Sequence, residues 1–304
     1  MPQKIILDVD TGGDDAVAIL LAGHHPNIDL QAITVCHGNG PLEVCLDNTL
    51  RVVDGGGLSK IPVYAGAHRP LVADPIDSHP IQKSTLPLPE STMAQKRQRA
   101  VDFLVEYYMS PDGPETIFAP LAPQTNLALA LRLEPHLAER IPRIVTMGGA
   151  YIEGNTTPSA EFNILADPEA AFIVFNAGIP ITMVGLEITS LALVTLDDVD
   201  KLERVGTPQA SIAARIIHDE VRWFMDNLGM SGGQIYDACA VAAVADPGIL
   251  TTNPMHVDIE LHGSLTRGRT VADISGHHPR DPNVDVGTHI DRSRFLEILL
   301  EGLK

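Results

Sequence analysis

The sequence predicts an α/β fold: a mostly parallel central sheet flanked by helices, with a small antiparallel hairpin near the C-terminus. Three observations carry this expectation. Short continuous apolar runs alternate with helical patterns along most of the 304 residues, as expected of strands buried on both faces. The first apolar run ends in a cluster of acids and two glycines, then passes into an apolar helix. Late in the chain, His256-Val257-Asp258-Ile259-Glu260-Leu261 alternates in character and is followed by Ser264-Leu265-Thr266 and Arg269-Thr270-Val271. That is the pattern of a hairpin with one wet face.

Taken in order, Ile5-Ile6-Leu7 starts a strand that runs into Asp8-Val9-Asp10-Thr11-Gly12-Gly13-Asp14-Asp15. The paired glycines free the backbone for a tight turn, and Asp14 or Asp15 suits the cap of the helix that follows. Asp29–Val35 is the second strand, ending at His37-Gly38-Asn39-Gly40, and a helix from Leu42 to Val53 leads to a short strand near Ile61–Tyr64. From His68 to Gln95 the chain has five prolines and little periodicity, which predicts a long surface excursion. Alternation resumes with a helix at Ala100–Tyr108, a strand at Thr116–Ala119, a helix at Thr125–Leu133 and a strand at Arg143–Met147 closed by Gly148-Gly149. A helix over Asp167–Phe175, capped by Asp167, precedes a strand at Pro180–Leu186; helices follow at Ala210–Leu228, Ile235–Ala245 and Arg292–Leu303. No repeat, low-complexity tract or linker interrupts the pattern, so one domain is expected over residues 1–304.

The formal net charge of −18 argues against a nucleic-acid partner, since phosphate binding draws on clustered Lys and Arg. Cys36, Cys45 and Cys239 are odd in number and contain no CxxC pair, so neither a disulfide framework nor a zinc site is suggested. The chain enters a strand almost at once with no signal peptide ahead of it, and no uncharged apolar run is long enough for a membrane span. The expected setting is the cytoplasm. The expected partners are a small-molecule ligand and further copies of the chain, as a dimer or tetramer, with no nucleic acid and no membrane.

In open α/β sheets, ligands gather at the carboxyl ends of the strands. Asp8, Asp10, Asp14 and Asp15 lie after the first strand and Asn39 after the second. Four acids within eight residues repel one another unless a hard cation or a ligand rich in hydroxyl donors sits among them. The plain alternative, a solvated turn with a capping acid, uses only one of the four. Beyond Met147 come Tyr151-Ile152-Glu153-Gly154-Asn155 and Glu161-Phe162-Asn163, a set of amides and carboxylates suited to sugar hydroxyls. Asp237 sits inside an apolar run, where a carboxylate requires a partner; capping or core hydrogen bonding is the structural alternative.

These residues resemble, in order and over nearly the whole chain, the inosine-uridine-preferring nucleoside hydrolases. Asp8-Val9-Asp10-Thr11-Gly12-Gly13-Asp14-Asp15-Ala16 matches their amino-terminal DxDxGxDDA signature. Gly38-Asn39, Thr125-Asn126-Leu127-Ala128, Met147-Gly148-Gly149, Glu161-Phe162-Asn163, Asp167-Pro168-Glu169-Ala170-Ala171 and Asp237-Ala238-Cys239-Ala240 continue the match. The resemblance implies a Rossmann-like fold and calcium-dependent hydrolysis of the N-glycosidic bond of ribonucleosides. It implies Ca²⁺ held by Asp10, Asp15, Asp237 and the backbone carbonyl of Leu121, with Asp10 as general base toward a water on the cation. It further places Asp14, Asn39 and Asn163 on the ribose 2′- and 3′-hydroxyls, Asn155 and Glu161 near the 5′-hydroxyl, and Met147 and Phe162 against the sugar.

Two departures fall on the base-recognition side. Where the family's inosine-uridine members carry a His before the late aspartate, this chain has Tyr236. A phenol, with a reference pKa near ~10 against roughly 6.5 for imidazole, is a hydrogen-bond donor but a weaker acid. In place of the family's His-Gly flap stands Asp77-Ser78-His79-Pro80. These changes motivate a second reading, a catalytically degenerate nucleoside-binding protein. A third, a haloacid-dehalogenase-type phosphatase, fits Asp8-Val9-Asp10-Thr11 but lacks the later Lys and acidic pair it needs. Cys239 reads as core packing, and His24-His25 and His277-His278 carry no assigned chemistry.

Overall fold

The computed structural model describes residues 1–76, 85–277 and 279–304; the sequence motif Asp77–Pro80, with His79, and His278 lie outside the described residues. Ten strands are present among them: β1 (Gln3–Val9), β2 (Ile28–Val35), β3 (Val63–Ala65), β4 (Thr116–Pro120), β5 (Ile144–Met147), β6 (Ile181–Val184), β7 (Leu250–Met255), β8 (Val257–Ile259), β9 (Thr270–Ala272) and β10 (Val284–Ile290). Eight form one sheet in the order β3-β2-β1-β4-β5-β6-β10-β7. All neighbours pair in parallel except β10 with β7. β8 and β9 form the separate antiparallel hairpin. The expected fold class is therefore the observed one, with the Rossmann-like reversal of strand order between β1 and β4. That reversal opens a crevice at the carboxyl ends of these two strands.

The helices divide between the two faces of the sheet. Ile5, Leu7 and Val9 face a layer built from α1 (Gly13–His24), α2 (Leu42–Gly55), α9 (Leu196–Glu203), α10 (Pro208–Leu228), α11 (Tyr236–Ala245) and α12 (Arg292–Gly302). Ile6 faces the other layer, formed by α3 (Ala100–Met109), α4 (Thr125–Leu133), α5 (Leu137–Arg140), α7 (Pro168–Phe175) and β8. This alternation is the two-residue period of a strand buried on both sides. α1 is buried along Gly13–Ala22 and touches α2, α10, α11 and α12. A helix apolar all round has to be central. It also carries the acids at its N-terminus into the interior.

Two strands fall outside the sequence-based expectation. β7 contains Pro254, which removes a ladder donor and is tolerated because β7 is the sheet edge. β10 is interrupted by Gly287, whose added Cβ would strike Ile188 of α8 (Leu186–Thr189). The expected cap of α1 is also refined. Gly12 is the N-cap, and Asp15 reaches back so that Gly12 N donates to its Oδ2 at 3.0 Å. Gly13 has no left-handed backbone; it is glycine because a Cβ there would collide with the Glu220 carboxylate.

Asp8, unassigned from sequence, is a structural residue. Its Oδ1 accepts from Thr34 Oγ1 at 2.6 Å and from Asn126 Nδ2 at 2.7 Å. Asn126 also donates to the Val35 carbonyl at 3.3 Å and accepts from Ala67 N at 2.8 Å. One amide on α4 thus fastens the ends of β1, β2 and β3. Burial raises the Asp8 carboxyl to about 7, against the lowering effect of Thr34 and Asn126. Asn126→Ala is expected to destabilise the fold by about 2–4 kcal/mol, because it leaves several buried polar groups unsatisfied. A shift in urea unfolding smaller than about 0.5 kcal/mol, the scatter of ordinary surface changes, would contradict this role.

Candidate active site

The crevice between β1 and β4 collects most of the residues singled out in the sequence. Asp10 leaves β1 and turns its carboxylate toward the loop after β2, where Oδ2 accepts from Asn39 N at 2.6 Å. Gly38 makes this approach possible, since a Cβ at that position would overlap the Asp10 carboxylate. Asp15 Oδ1 accepts from Asp10 N at 3.3 Å, and its Oδ2 accepts from Asn39 Nδ2 at 3.3 Å. Across the crevice, Asp237 enters from the first turn of α11. Ligand atoms of Asp14, Asp15 and Asp237 lie within 4.8 Å of one another, and all three residues are buried. Asp10 stands beside this trio rather than inside it, with Oδ1 buried and meeting no hydrogen-bond donor among the described residues.

The electrostatics are one-sided. Burial, then the neighbouring carboxylates, push the acids of Asp10, Asp15 and Asp237 well above the ordinary range. The opposing influences at Asp10 and Asp15 are hydrogen bonds from backbone N–H groups and Asn39, with no positive side chain among them. Such a cluster either retains protons or takes up a cation. The donors are all hard oxygens, without nitrogen or sulfur, which fits Ca²⁺ better than a transition metal. The Leu121 carbonyl, expected as a further ligand, faces the same crevice. It accepts from Asn163 Nδ2 at 2.8 Å, which leaves its second lone pair.

The residues expected on the sugar side are held by capping geometry centred on Glu161. Glu161 is the N-cap of α6 (Phe162–Ala166), and its carboxylate accepts from Gly149 N at 2.9 Å, Asn163 N at 2.9 Å and Ile164 N at 3.1 Å. It therefore binds the β5 turn to α6 and fixes Asn163. Gly149 takes φ 85° here, a conformation that requires glycine. Met147 is buried, and its carbonyl accepts from Asn163 Nδ2 at 3.2 Å. The loop beyond is anchored by Glu187, which accepts from Tyr151 N and Ile152 N, and by Thr270 of β9, which accepts from Ala150 N at 2.8 Å. The small hairpin thus serves to steady one wall of the crevice.

Tyr236 opens α11, half-buried, with its ring 6.2 Å from that of Phe224. It is hydrogen-bonded to Asn155. Asn155 Oδ1 already accepts from Phe162 N at 3.0 Å and Thr156 Oγ1 at 3.2 Å. Burial, then Asp14 and Glu220, raise the phenol further, so it stays protonated. Glu220 itself was missed in the sequence. It stands among charged residues of α10, yet falls on the buried stripe of Ala213, Ile217, Val221 and Phe224, the one visible signal that it points inward. Cys239 is buried, consistent with core packing.

The comparisons with known proteins agree with this geometry. The family model described as inosine-uridine preferring nucleoside hydrolase matches residues 5–297. The chain is 40% identical to the inosine-uridine preferring nucleoside hydrolase of Crithidia fasciculata, covering 100% of this chain and 98% of that protein. It is 38% identical to a pyrimidine-specific ribonucleoside hydrolase of Escherichia coli, covering 99% and 97%. Among solved structures, a purine-preferring ribonucleoside hydrolase from Gardnerella vaginalis superimposes with a TM-score of 0.91 at 31% identity, over 99% of this chain and 98% of that one. A plant nucleoside hydrolase gives 0.92 at 28% identity, over 100% and 99%. Among the described residues no helix is long and apolar enough to cross a membrane. With the fold, the ordered motifs and full-length relatives in agreement, the chain belongs to the inosine-uridine preferring nucleoside hydrolase family and is a nucleoside hydrolase.

Proposed function

We propose that this enzyme cleaves the N-glycosidic bond of ribonucleosides in a calcium-dependent reaction, with Asp10 as the general base. The carrying observation is the buried convergence of Asp10, Asp14, Asp15 and Asp237 in the crevice between β1 and β4. Asp10, Asp15, Asp237 and the Leu121 carbonyl would hold the ion. Bound calcium supplies the positive charge this cluster lacks and makes a nearby water more acidic.

The remaining roles belong to the chain itself. Asp10 accepts the proton of the attacking water, its Oδ1 being a buried acceptor that meets no donor among the described residues. As the base departs, the ribosyl group becomes oxocarbenium-like, and the surrounding carboxylates stabilise that charge. Asp14, Asn39 and Asn163 grip the 2′- and 3′-hydroxyls. Asn163 is pre-set for this by its bonds to the Leu121 and Met147 carbonyls. Asn155 and Glu161 serve the 5′ side, and Met147 and Phe162 pack on the sugar. Tyr236, held protonated by burial and by the neighbouring Asp14 and Glu220, offers its proton to the departing base. The relatives' names divide between purine and pyrimidine preferences, so the base itself is left open. Three buried, free cysteines support a reducing compartment, the cytoplasm, as the setting.

A ribonucleoside panel is expected to release ribose, to stop when calcium is chelated and to recover when calcium is returned. Binding without turnover would reject the proposal in favour of the degenerate protein, and phosphate release from a nucleoside monophosphate with no ribose release from the panel would favour the phosphatase. Asp10→Asn is expected to lower kcat by about 10²–10⁴, the usual worth of a general base, with the thermal transition retained. Near-normal turnover would sink that assignment. Tyr236→Phe is expected to slow natural nucleosides by about tenfold or more while sparing a nitrophenyl riboside, whose leaving group needs no proton. Equal losses on both substrates would reject Tyr236 as the donor.

A further inference from the structure

α2 carries two polar residues where its buried stripe should be apolar. Cys45, Asn48, Thr49, Val52 and Val53 are the residues of this helix turned inward. Asn48 and Thr49 are fully buried and neither is a good helix former, so both cost the helix local stability. Their side chains converge on one residue of the carboxylate turn. Asn48 Nδ2 donates to the Thr11 carbonyl at 2.9 Å. Thr49 Oγ1 donates to the Cys45 carbonyl at 2.7 Å, so its oxygen accepts from Thr11 Oγ1, also at 2.7 Å. Thr11 sits between Asp10 and the pair Asp14-Asp15.

The turn is also bonded to the loop after β2, where Asn39 donates to Asp10 Oδ2 and Asp15 Oδ2. Asp10 N and Gly12 N both donate to Asp15, so residues 10–15 behave as one small ring. A ring of that kind can hold its internal shape and still tilt as a whole. The α2 clamp on both the carbonyl and the hydroxyl of Thr11 opposes such a tilt. Asn48 reaches a second segment as well: its Oδ1 accepts from Leu86 N at 2.8 Å, on the returning arm of the proline-rich excursion. α2 holds that arm at further points, through Arg51 Nη1 to the Leu88 carbonyl and through Asp54, which accepts from Ser91 and Thr92. The same amide therefore ties the carboxylate turn to the arm that borders the excursion.

We infer that Asn48, supported by Thr49, is a positioning residue that sets the orientation of the Asp10–Asp15 turn and with it the affinity of the cation site. The inference rests on the calcium reading given above. Neither residue touches the reacting atoms. Their contribution is to hold the turn that carries Asp10, Asp14 and Asp15 in its orientation toward Asp237, where small displacements matter because ligand sets need preorganisation.

Calcium affinity measured by calorimetry on chelator-stripped protein tests this without relying on turnover. Asn48→Ala is expected to weaken calcium binding at least tenfold. Thr49→Val, which keeps the side-chain volume and removes only the hydroxyl, is expected to weaken it about three- to tenfold by relaxing one of two clamps, and it carries the test if Asn48→Ala does not fold. Asn283→Ala is the control. Asn283 makes a comparable clamp, accepting from Val257 N and donating to the Val257 and Phe175 carbonyls, but on the far side of the sheet. It should lower the melting temperature and leave calcium affinity unchanged. Affinities within twofold of wild type for both α2 variants would overturn the inference, as would an equal loss in Asn283→Ala. A wild-type chain that binds no calcium would instead overturn the underlying calcium reading.

Discussion

Mutual repulsion among buried carboxylates is the constraint on which this structure turns. Asp10, Asp14, Asp15 and Asp237 converge from β1, α1 and α11 into a crevice where burial already disfavours their charge. Left to themselves they would retain protons or splay apart. In the cation-free chain the raised carboxyls hold protons that the unfolded chain has released above its ordinary carboxylate range near ~4. The unfolded state then binds fewer protons, so the fold's stability falls as pH rises through that window. On the proposed reading a hard cation would reverse the sign of the interaction and make the cluster the organising feature of the site.

Much of the architecture reads as support for that arrangement. α1 is apolar all round, so its acidic N-terminus is driven inward with it. Gly13 and Gly38 clear space for Glu220 and Asp10 respectively. Asn126 fastens three strand ends beneath the crevice, while Glu161 locks the opposite wall by capping α6. These devices are polar and buried, and each is satisfied at more than one point. Partial satisfaction would cost more than an apolar replacement.

The convergence of acids was largely legible from residues whose local role could not absorb them. Four acids around a two-glycine turn exceed what a helix cap needs, and Asp237 has no place in an apolar run without a partner. The central strands were legible because parallel strands buried on both faces leave continuous apolar runs. β7 and β10 were not, because Pro254 and Gly287 break the pattern for reasons that exist only in three dimensions: an edge position and a close approach of Ile188. The capping box Thr195–Asp198 that begins α9 was present in the sequence and passed over. The Asn48 bridge and the reach of Glu161 to Gly149 depend on contacts between segments apart in the chain, which no local pattern encodes, whereas the Glu161 cap and the inward position of Glu220 have local signals. The base side was the least legible, since Tyr236 departs from the family pattern and its partner Asn155 comes from a distant loop.

On the proposed reading, calcium entering the carboxylate cluster would displace protons from mutually repelling acids. Calcium titration of the chelator-stripped protein near neutral pH, repeated in buffers of different ionisation enthalpy, measures binding and proton release together. The account predicts one saturable ion per chain accompanied by proton release. Absence of saturable binding, or binding with no proton release, would contradict it.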